Sequence, residues 1–349
     1  MSTTPEAYVH LSADQTTLTF YYDSLRADRD GTTWGIEEKK KNWNSSSPAW
    51  IGDEESPNTT VLTAVFDASF RDFLPTTTAK WFYYLKSLKN IKGFEHLNTS
   101  QVMDMSGMFL YCSSLTTLDL SSFDTSQVVR MTAMFGGCWS LTTLDLSSFD
   151  TSQVTNMWSM FRECSSLTTL DLSRFDTSQV TNVEEMFFGC SSLTSLDFSR
   201  FDTSKVKDMS FMFCGCWSLT ALDLSSFDTS EVTNMYGMFL ECWSLTALDL
   251  SSFDTSQVTD MREMFFGCSS LTSLDLSRFN TSQVTDMGEM FSGCSSLTTI
   301  LSFAFRNCLA SEAMFHECFS LQGAVNFNEK YTNARMANSE TGYFTKKEL

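Results

Sequence analysis

Basic residues are scarce in this chain. Lys and Arg total 23 against 42 Asp and Glu, a formal net charge of −19 over 349 residues. That balance repels polyphosphate and anionic membrane surfaces, so a nucleic-acid partner is excluded. No apolar run reaches the length of about 18 residues that a membrane-spanning helix needs, so no transmembrane segment is expected. Met1 to Ser12 has neither the basic start nor the apolar stretch of a secretory leader. Histidine occurs three times, at His10, His96 and His316, in unrelated segments, and no catalytic triad is predicted.

Apolar residues are plentiful by contrast, at 42% of the chain with 31 Phe, which is ample for a continuous core. Length alone argues for two ordinary domains. Internal repetition overrides that argument. Cys112, Cys138, Cys164, Cys190, Cys216, Cys242, Cys268 and Cys294 recur every 26 residues, each behind a Met-Phe pair. Within one unit, Leu115, Leu118, Leu120 and Phe123 form LxxLxLxxF, and the alternation at Leu118 and Leu120 predicts a short strand with one buried face. Val128, Met131, Met134, Phe135, Cys138 and Leu141 follow at intervals of three and four, which predicts a short helix. Asn182 before Glu185, Asp260 before Glu263 and Asp286 before Glu289 read as capping boxes for it. The intervening Phe-Asp-Thr-Ser, as at Phe149 to Ser152, reads as a polar corner in which Asp accepts from backbone N–H groups two residues on.

A single coil of this kind cannot bury its apolar face, whereas stacked coils cover one another and need caps at both ends. The expected organisation is an N-terminal cap with a β-hairpin over 1–60, degenerate repeats over 61–97, regular repeats over 98–323 and a C-terminal cap over 324–349. The hairpin is expected at Tyr8 to Leu11 and Leu18 to Tyr22, and Lys39 to Ser47 is expected to be an exposed loop.

Leu141 to Met157, followed by Met160, Phe161 and Cys164, closely resembles the repeat of the BspA-like leucine-rich repeat surface proteins of bacteria. The resemblance runs from about Asn98 to Leu297, and Gly342 to Thr345 resembles that family's end segment. Val183, Phe198, Arg130 and Asn280 depart from the repeat. The resemblance implies an α/β solenoid: a right-handed, leucine-rich-repeat-like coil with a parallel sheet on one face and short helices on the other. It also implies export to the cell surface or beyond, and adhesion to a host matrix protein, a glycan or another microbial surface component.

The column of cysteines cannot surround one ion, and is expected to be core. Cross-coil disulfides are compatible with a coil spacing of about 4.8 Å. Cys214 and Cys308 fall outside the column and are expected to be the exposed thiols. Asp119, Asp145, Asp171, Asp197, Asp223, Asp249 and Asp275 lie between buried leucines and should form an outward carboxylate ladder, flanked in the first coil by Thr117 and Ser121. Mutual repulsion is expected to raise their pKa values or to recruit cations. The bland reading of the ladder is a solvated face that discourages aggregation. Variable slots hold aromatics: Trp139, Trp217 and Trp243 directly after Cys, and Trp158, Phe211 and Tyr236 nearby. These read either as binding anchors or as coil-to-coil packing.

No coil carries a distinct acid, base or metal cluster, so neither catalysis, a metal nor a cofactor is expected. The leading expectation is a non-enzymatic surface or secreted binding protein. The alternative is a structural solenoid that recognises cations, ice or mineral through its Asp and Thr ladders, although Thr117 and Thr143 give way to Ser195 and Ala221.

Overall fold

The computed structural model describes residues 4–39, 47–52, 55–302, 305 and 310–346. Its regular part is held together by cross-coil pairing at a fixed offset. A column of parallel bridges runs from Thr77 to Asp104, then through Arg130, Asn156, Asn182, Asp208, Asn234, Asp260 and Asp286 to Ala310. Each coil therefore lies on the next in the same direction, and the last step is shortened from 26 to 24 residues.

The arc that carries the Met-Phe pair is not helical, and the described residues contain no α-helix, only turns of 3-10 type. The backbone donors explain why. In one coil Met157 N, Ser159 N and Phe161 N donate to Asn182, Glu184 and Met186 of the next coil, at 3.1, 2.9 and 3.0 Å. The alternate donors Met160 N, Arg162 N and Cys164 N close tight turns onto Met157, Ser159 and Phe161. Half the N–H groups thus point along the stack, where an α-helix would send them to the residue four back. Such a path needs two left-handed residues per coil, here Ser159 at φ 54° and Glu163 at φ 56°. In other coils glycine takes these slots, as at Gly107 and Gly237 in the first and Gly189 and Gly215 in the second. The supposed caps serve this arc. Asn182, Asp260 and Asp286 accept from the N–H two residues on, while Glu185, Glu263 and Glu289 occupy the left-handed slot.

The Leu-Asp-Leu arc is extended and buries alternate residues, with Leu144 and Leu146 inside. Among the described residues it pairs as a true ladder towards the two ends of the stack, where β6 (Ser273–Asp275) lies parallel to β7 (Thr299–Leu301) and where Asn90–Lys92 of the first irregular coil lies parallel to Thr63–Phe66. Elsewhere it makes sparser cross-coil bonds, such as Thr142 N to Thr116 O at 3.2 Å and Thr246 N to Thr220 O at 3.4 Å. A continuous sheet on this face is therefore not formed. The unbroken bridge column lies in the other arc.

Core side chains form columns. Phe82, Phe109, Phe135, Phe161, Phe187, Phe213, Phe239, Phe265, Phe291 and Phe315 stack in sequence, with ring centroids 5.5–5.9 Å apart and planes within about 10°. Each column cysteine donates its thiol to a Phe carbonyl of the coil before, as Cys138 Sγ to Phe109 O at 3.3 Å and Cys190 Sγ to Phe161 O at 3.1 Å. Cys318 continues the column on Phe291. All described cysteines are free and buried, and burial pushes the Cys138 and Cys190 thiols up to about 12. Cys214, expected to be exposed, is also buried, and Cys308 lies outside the described residues.

At the corners, Asp124, Asp150, Asp176 and their successors accept from the Ser N–H two residues on, as the residue types imply. The adjoining Thr is buried. Thr177 Oγ1 donates to Asp202 O at 2.9 Å and accepts from Asp202 N at 2.8 Å, so one hydroxyl replaces a backbone rung between coils.

At the start of the chain, β1 (Glu6–Leu11) and β2 (Thr17–Asp23) pair antiparallel, and β3 (Thr32–Gly35) joins β1 on the outside. On the other side β2 runs parallel to β4 (Thr63–Phe66), which runs parallel to β5 (Asn90–Lys92), the Leu-Asp-Leu arc of the first irregular coil. Phe20, Phe66, Phe70, Trp81 and Trp50 fill the junction. Lys39 bridges Pro48, and Ser47, expected in an exposed loop, is buried; the remainder of that loop, 40–46, lies outside the described residues. At the far end Tyr343 and Phe344 meet Phe315 edge-on, at 5.3 and 6.1 Å, which ends the ring column.

Candidate functional site

Two surfaces carry the residues singled out from the sequence. The ladder aspartates are exposed, on the Leu-Asp-Leu arc. Asp119, Asp145, Asp171, Asp197, Asp223, Asp249 and Asp275 each accept from the Ser N–H two residues on. Ser121 adds its hydroxyl to Asp119 at 2.7 Å. These bonds favour the charged form, so Asp119, Asp145, Asp171, Asp197, Asp223 and Asp249 are held below the usual carboxylate range. The expectation of raised values fails because a local N–H and hydroxyl at bonding distance outweigh a neighbouring charge one coil away in water. Among the described residues no three His, Cys, Asp or Glu side chains are grouped to hold a metal ion.

The aromatics lie on the turn arc. Trp139, Trp158, Trp217 and Trp243 are 41–43% exposed, and Phe211 and Tyr236 are half-buried. Trp217 and Trp243 pack coil on coil, one of the two readings of the slot. Their rings stack at 4.7 Å and 1° across adjacent coils and still show a large surface to solvent. Trp139 donates its indole N–H to Glu163 at 3.1 Å and meets the Tyr111 ring edge-on. Phe211 packs on Tyr236 at 4.4 Å.

Charged groups missed by the sequence reading complete this surface. The Arg162 guanidinium lies 4.2 Å from the centre of the Phe188 ring and pairs with Glu185 and Glu163. Arg262 lies 4.5 Å from the Tyr236 ring centre and pairs with Asp260 at 2.7 Å. Cys214 has Arg162, Glu185, Glu241 and Glu263 around it, and burial pushes its thiol up to about 12. Burial and the nearby Asp208 raise Glu184, and burial raises Glu263, aided by Glu289. Glu184 and Glu263 are thus shifted opposite to the ladder aspartates, whereas Asp104 of the turn arc, bonded to Ser106 and Arg130, is lowered as they are. The variable slots were read for their aromatics alone, and the guanidinium–ring contacts join neighbouring coils 26 residues apart, so neither position by itself announces them.

Two clefts open on the turn arc. One, of about 570 Å³, has Trp243 as a wall, with Phe266, Gly267, Ser269, Glu289 and Glu317 among its lining. The other, of about 650 Å³, runs past Arg262, Glu263, Asp286 and Glu312. Neither includes a ladder aspartate, and the ladder lies on the other arc of the coil. No helix among the described residues is long and apolar enough to cross a membrane.

The family model described as "Mycoplasma protein of unknown function, DUF285" matches residues 76–195, 165–248 and 217–329. No curated protein matches the chain. Similar solved structures include a leucine-rich cell surface protein from Faecalibacterium prausnitzii, 18% identical with a TM-score of 0.40, covering 92% of this chain and 94% of that one. A leucine-rich repeat protein from Bacteroides ovatus is 16% identical with a TM-score of 0.34, covering 98% of each chain. The pneumococcal vaccine antigen PcpA is 12% identical with a TM-score of 0.40, covering 100% of this chain and 98% of that one.

Proposed function

Because the chain belongs to the family described as "Mycoplasma protein of unknown function, DUF285", which carries no stated activity, we propose a function from its geometry: a non-enzymatic binding protein that acts at the cell surface or outside the cell. In this reading the stack is a right-handed solenoid, and its partner is a matrix protein, a glycan or a microbial surface component. The observation that carries it is the concentration of variable, exposed aromatic side chains on one arc of an otherwise uniform coil. Trp139, Trp158, Trp217 and Trp243 leave large ring surfaces in water, which an isolated protein has no need to do. Exposed Trp beside paired charges is the composition of interface anchors. The BspA-like character of the repeats supports the surface location.

The cation-, ice- or mineral-binding alternative is weaker. Each ladder carboxylate already spends acceptor capacity on its own Ser N–H, and the Thr slots are irregular.

Solid-phase binding of the purified chain to arrayed matrix proteins and glycans tests the proposal. Saturable binding that weakens at least tenfold when Trp139, Trp217 and Trp243 are all replaced by Ser is expected, and Ser is the residue other coils carry in that slot. Binding indifferent to those three changes would contradict it.

A further inference from the structure

Twice on the turn arc the chain lays a guanidinium on an aromatic face between carboxylates. Arg162 sits over Phe188 with Glu185 and Glu163, and Arg262 over Tyr236 with Asp260 and Asp286. The cleft beside Trp243 has the same parts, an aromatic wall with Glu289 and Glu317, but no Lys or Arg among its lining residues. Both carboxylates are exposed, and neither forms an ion pair among the described residues. Its remaining titratable group is His316.

We propose that this cleft binds the guanidinium of an arginine carried by a partner polypeptide. The inference rests on the binding function above and names its ligand chemistry. A stacked Trp pair uses one face of each ring on its neighbour, which leaves the Trp243 indole a second face for the cleft it lines. A planar cation stacks on such a face, whereas the compact ammonium of lysine gains less from it. Glu289 and Glu317 supply the paired acceptors. Gly267 and Gly293, at φ 70° and 76°, line the cleft without side chains, so its floor stays open. A volume of about 570 Å³ exceeds a guanidinium alone and admits the side chain with its flanking backbone. A net charge of −19 draws a basic segment towards the protein from a distance.

The test is calorimetric titration of the full chain with a nonapeptide of Gly and Ser around one central Arg, beside versions with Lys or citrulline there. The Arg peptide should bind saturably, the Lys peptide several-fold more weakly, and the uncharged citrulline isostere at least about tenfold more weakly. Trp243→Ser and the double variant Glu289→Gln with Glu317→Gln should each weaken the Arg peptide about tenfold. Trp243→Ser introduces what Ser165, Ser191, Ser269 and Ser295 already are in the same slot, so the fold tolerates it. Equal binding of the citrulline peptide, indifference to Trp243→Ser, or no binding at millimolar peptide would overturn the inference. If a glycan or protein still bound in a Trp-dependent way in that last case, the proposed function would stand and this ligand class would fall.

Discussion

The two arcs of each coil are held in opposite ways. On the turn arc the backbone itself makes the inter-coil bonds, with every second N–H directed at the next coil, and the core side chains stack beneath it. Beyond the Asn or Asp of the bridge column, outward side chains make none of these backbone bonds, and the slot holding Ser106 goes on to hold Thr132, Trp158, Glu184, Ser210, Tyr236, Arg262 and Gly288. On the Leu-Asp-Leu arc cross-coil backbone bonds are sparse, and each turn is held by an Asp carboxylate on the Ser N–H two residues later. There the side chain is the structure, and Asp recurs in seven successive coils. Where the main chain carries the stack, side chains are free to vary.

The largest expected effect tests the stacking under the turn arc. Phe187 is fully buried between Phe161 and Phe213, at 5.7 and 5.9 Å, so Phe187→Ala should cost about 3–5 kcal/mol in denaturant unfolding. Asp197→Asn on the other arc should leave the unfolding curve almost unchanged, because Asn keeps the acceptor. Comparable costs would erase the distinction between the arcs. Thr177→Val at the corner removes the hydroxyl that satisfies both backbone groups of Asp202, and should cost about 1–3 kcal/mol by the same measurement.

Ala133→Gly sharpens the comparison through its sign. Ala133 has φ 51°, so Gly should raise the melting temperature by relieving strain worth about 1 kcal/mol. In a helix the same change would lower it by a similar amount. The smallest effect is acid-linked. Six ladder aspartates, Asp119 to Asp249, titrate below their ordinary value near 3.9, so the stability they contribute is complete above that pH and is lost as pH falls through the lowered values. Replacing all six by Asn should flatten the fall in melting temperature between about pH 4 and pH 2.

Much of this architecture was legible from period and polarity. The 26-residue spacing of Cys112 to Cys294 implied stacked coils, and the Phe-Asp-Thr-Ser corner implied the turn that forms. The helix was misread because buried residues at Val154, Met157, Met160, Phe161 and Cys164 satisfy a helical face nearly as well as successive three-residue turns. Glycine held the discriminating information. Gly137, Gly189, Gly215, Gly267 and Gly293 stand one residue before a column Cys, where a helix would lose stability and a left-handed turn gains it. Of the site, the exposed Trp slot was readable, but the Arg162 and Arg262 sandwiches were not, since each joins residues about one coil apart in sequence. Lowered ladder pKa values were missed for a related reason, because a charge ladder was weighed without the Ser N–H groups that face it.

The most direct measurement compares two variants of the full chain on the same array of matrix proteins and glycans. One carries Trp139, Trp217 and Trp243 as Ser; the other carries the seven ladder aspartates as Asn, and circular dichroism verifies that both are folded. Loss of binding in the first and retention in the second is the predicted result. Retention in the first and loss in the second would place the binding face on the Leu-Asp-Leu arc and contradict the account.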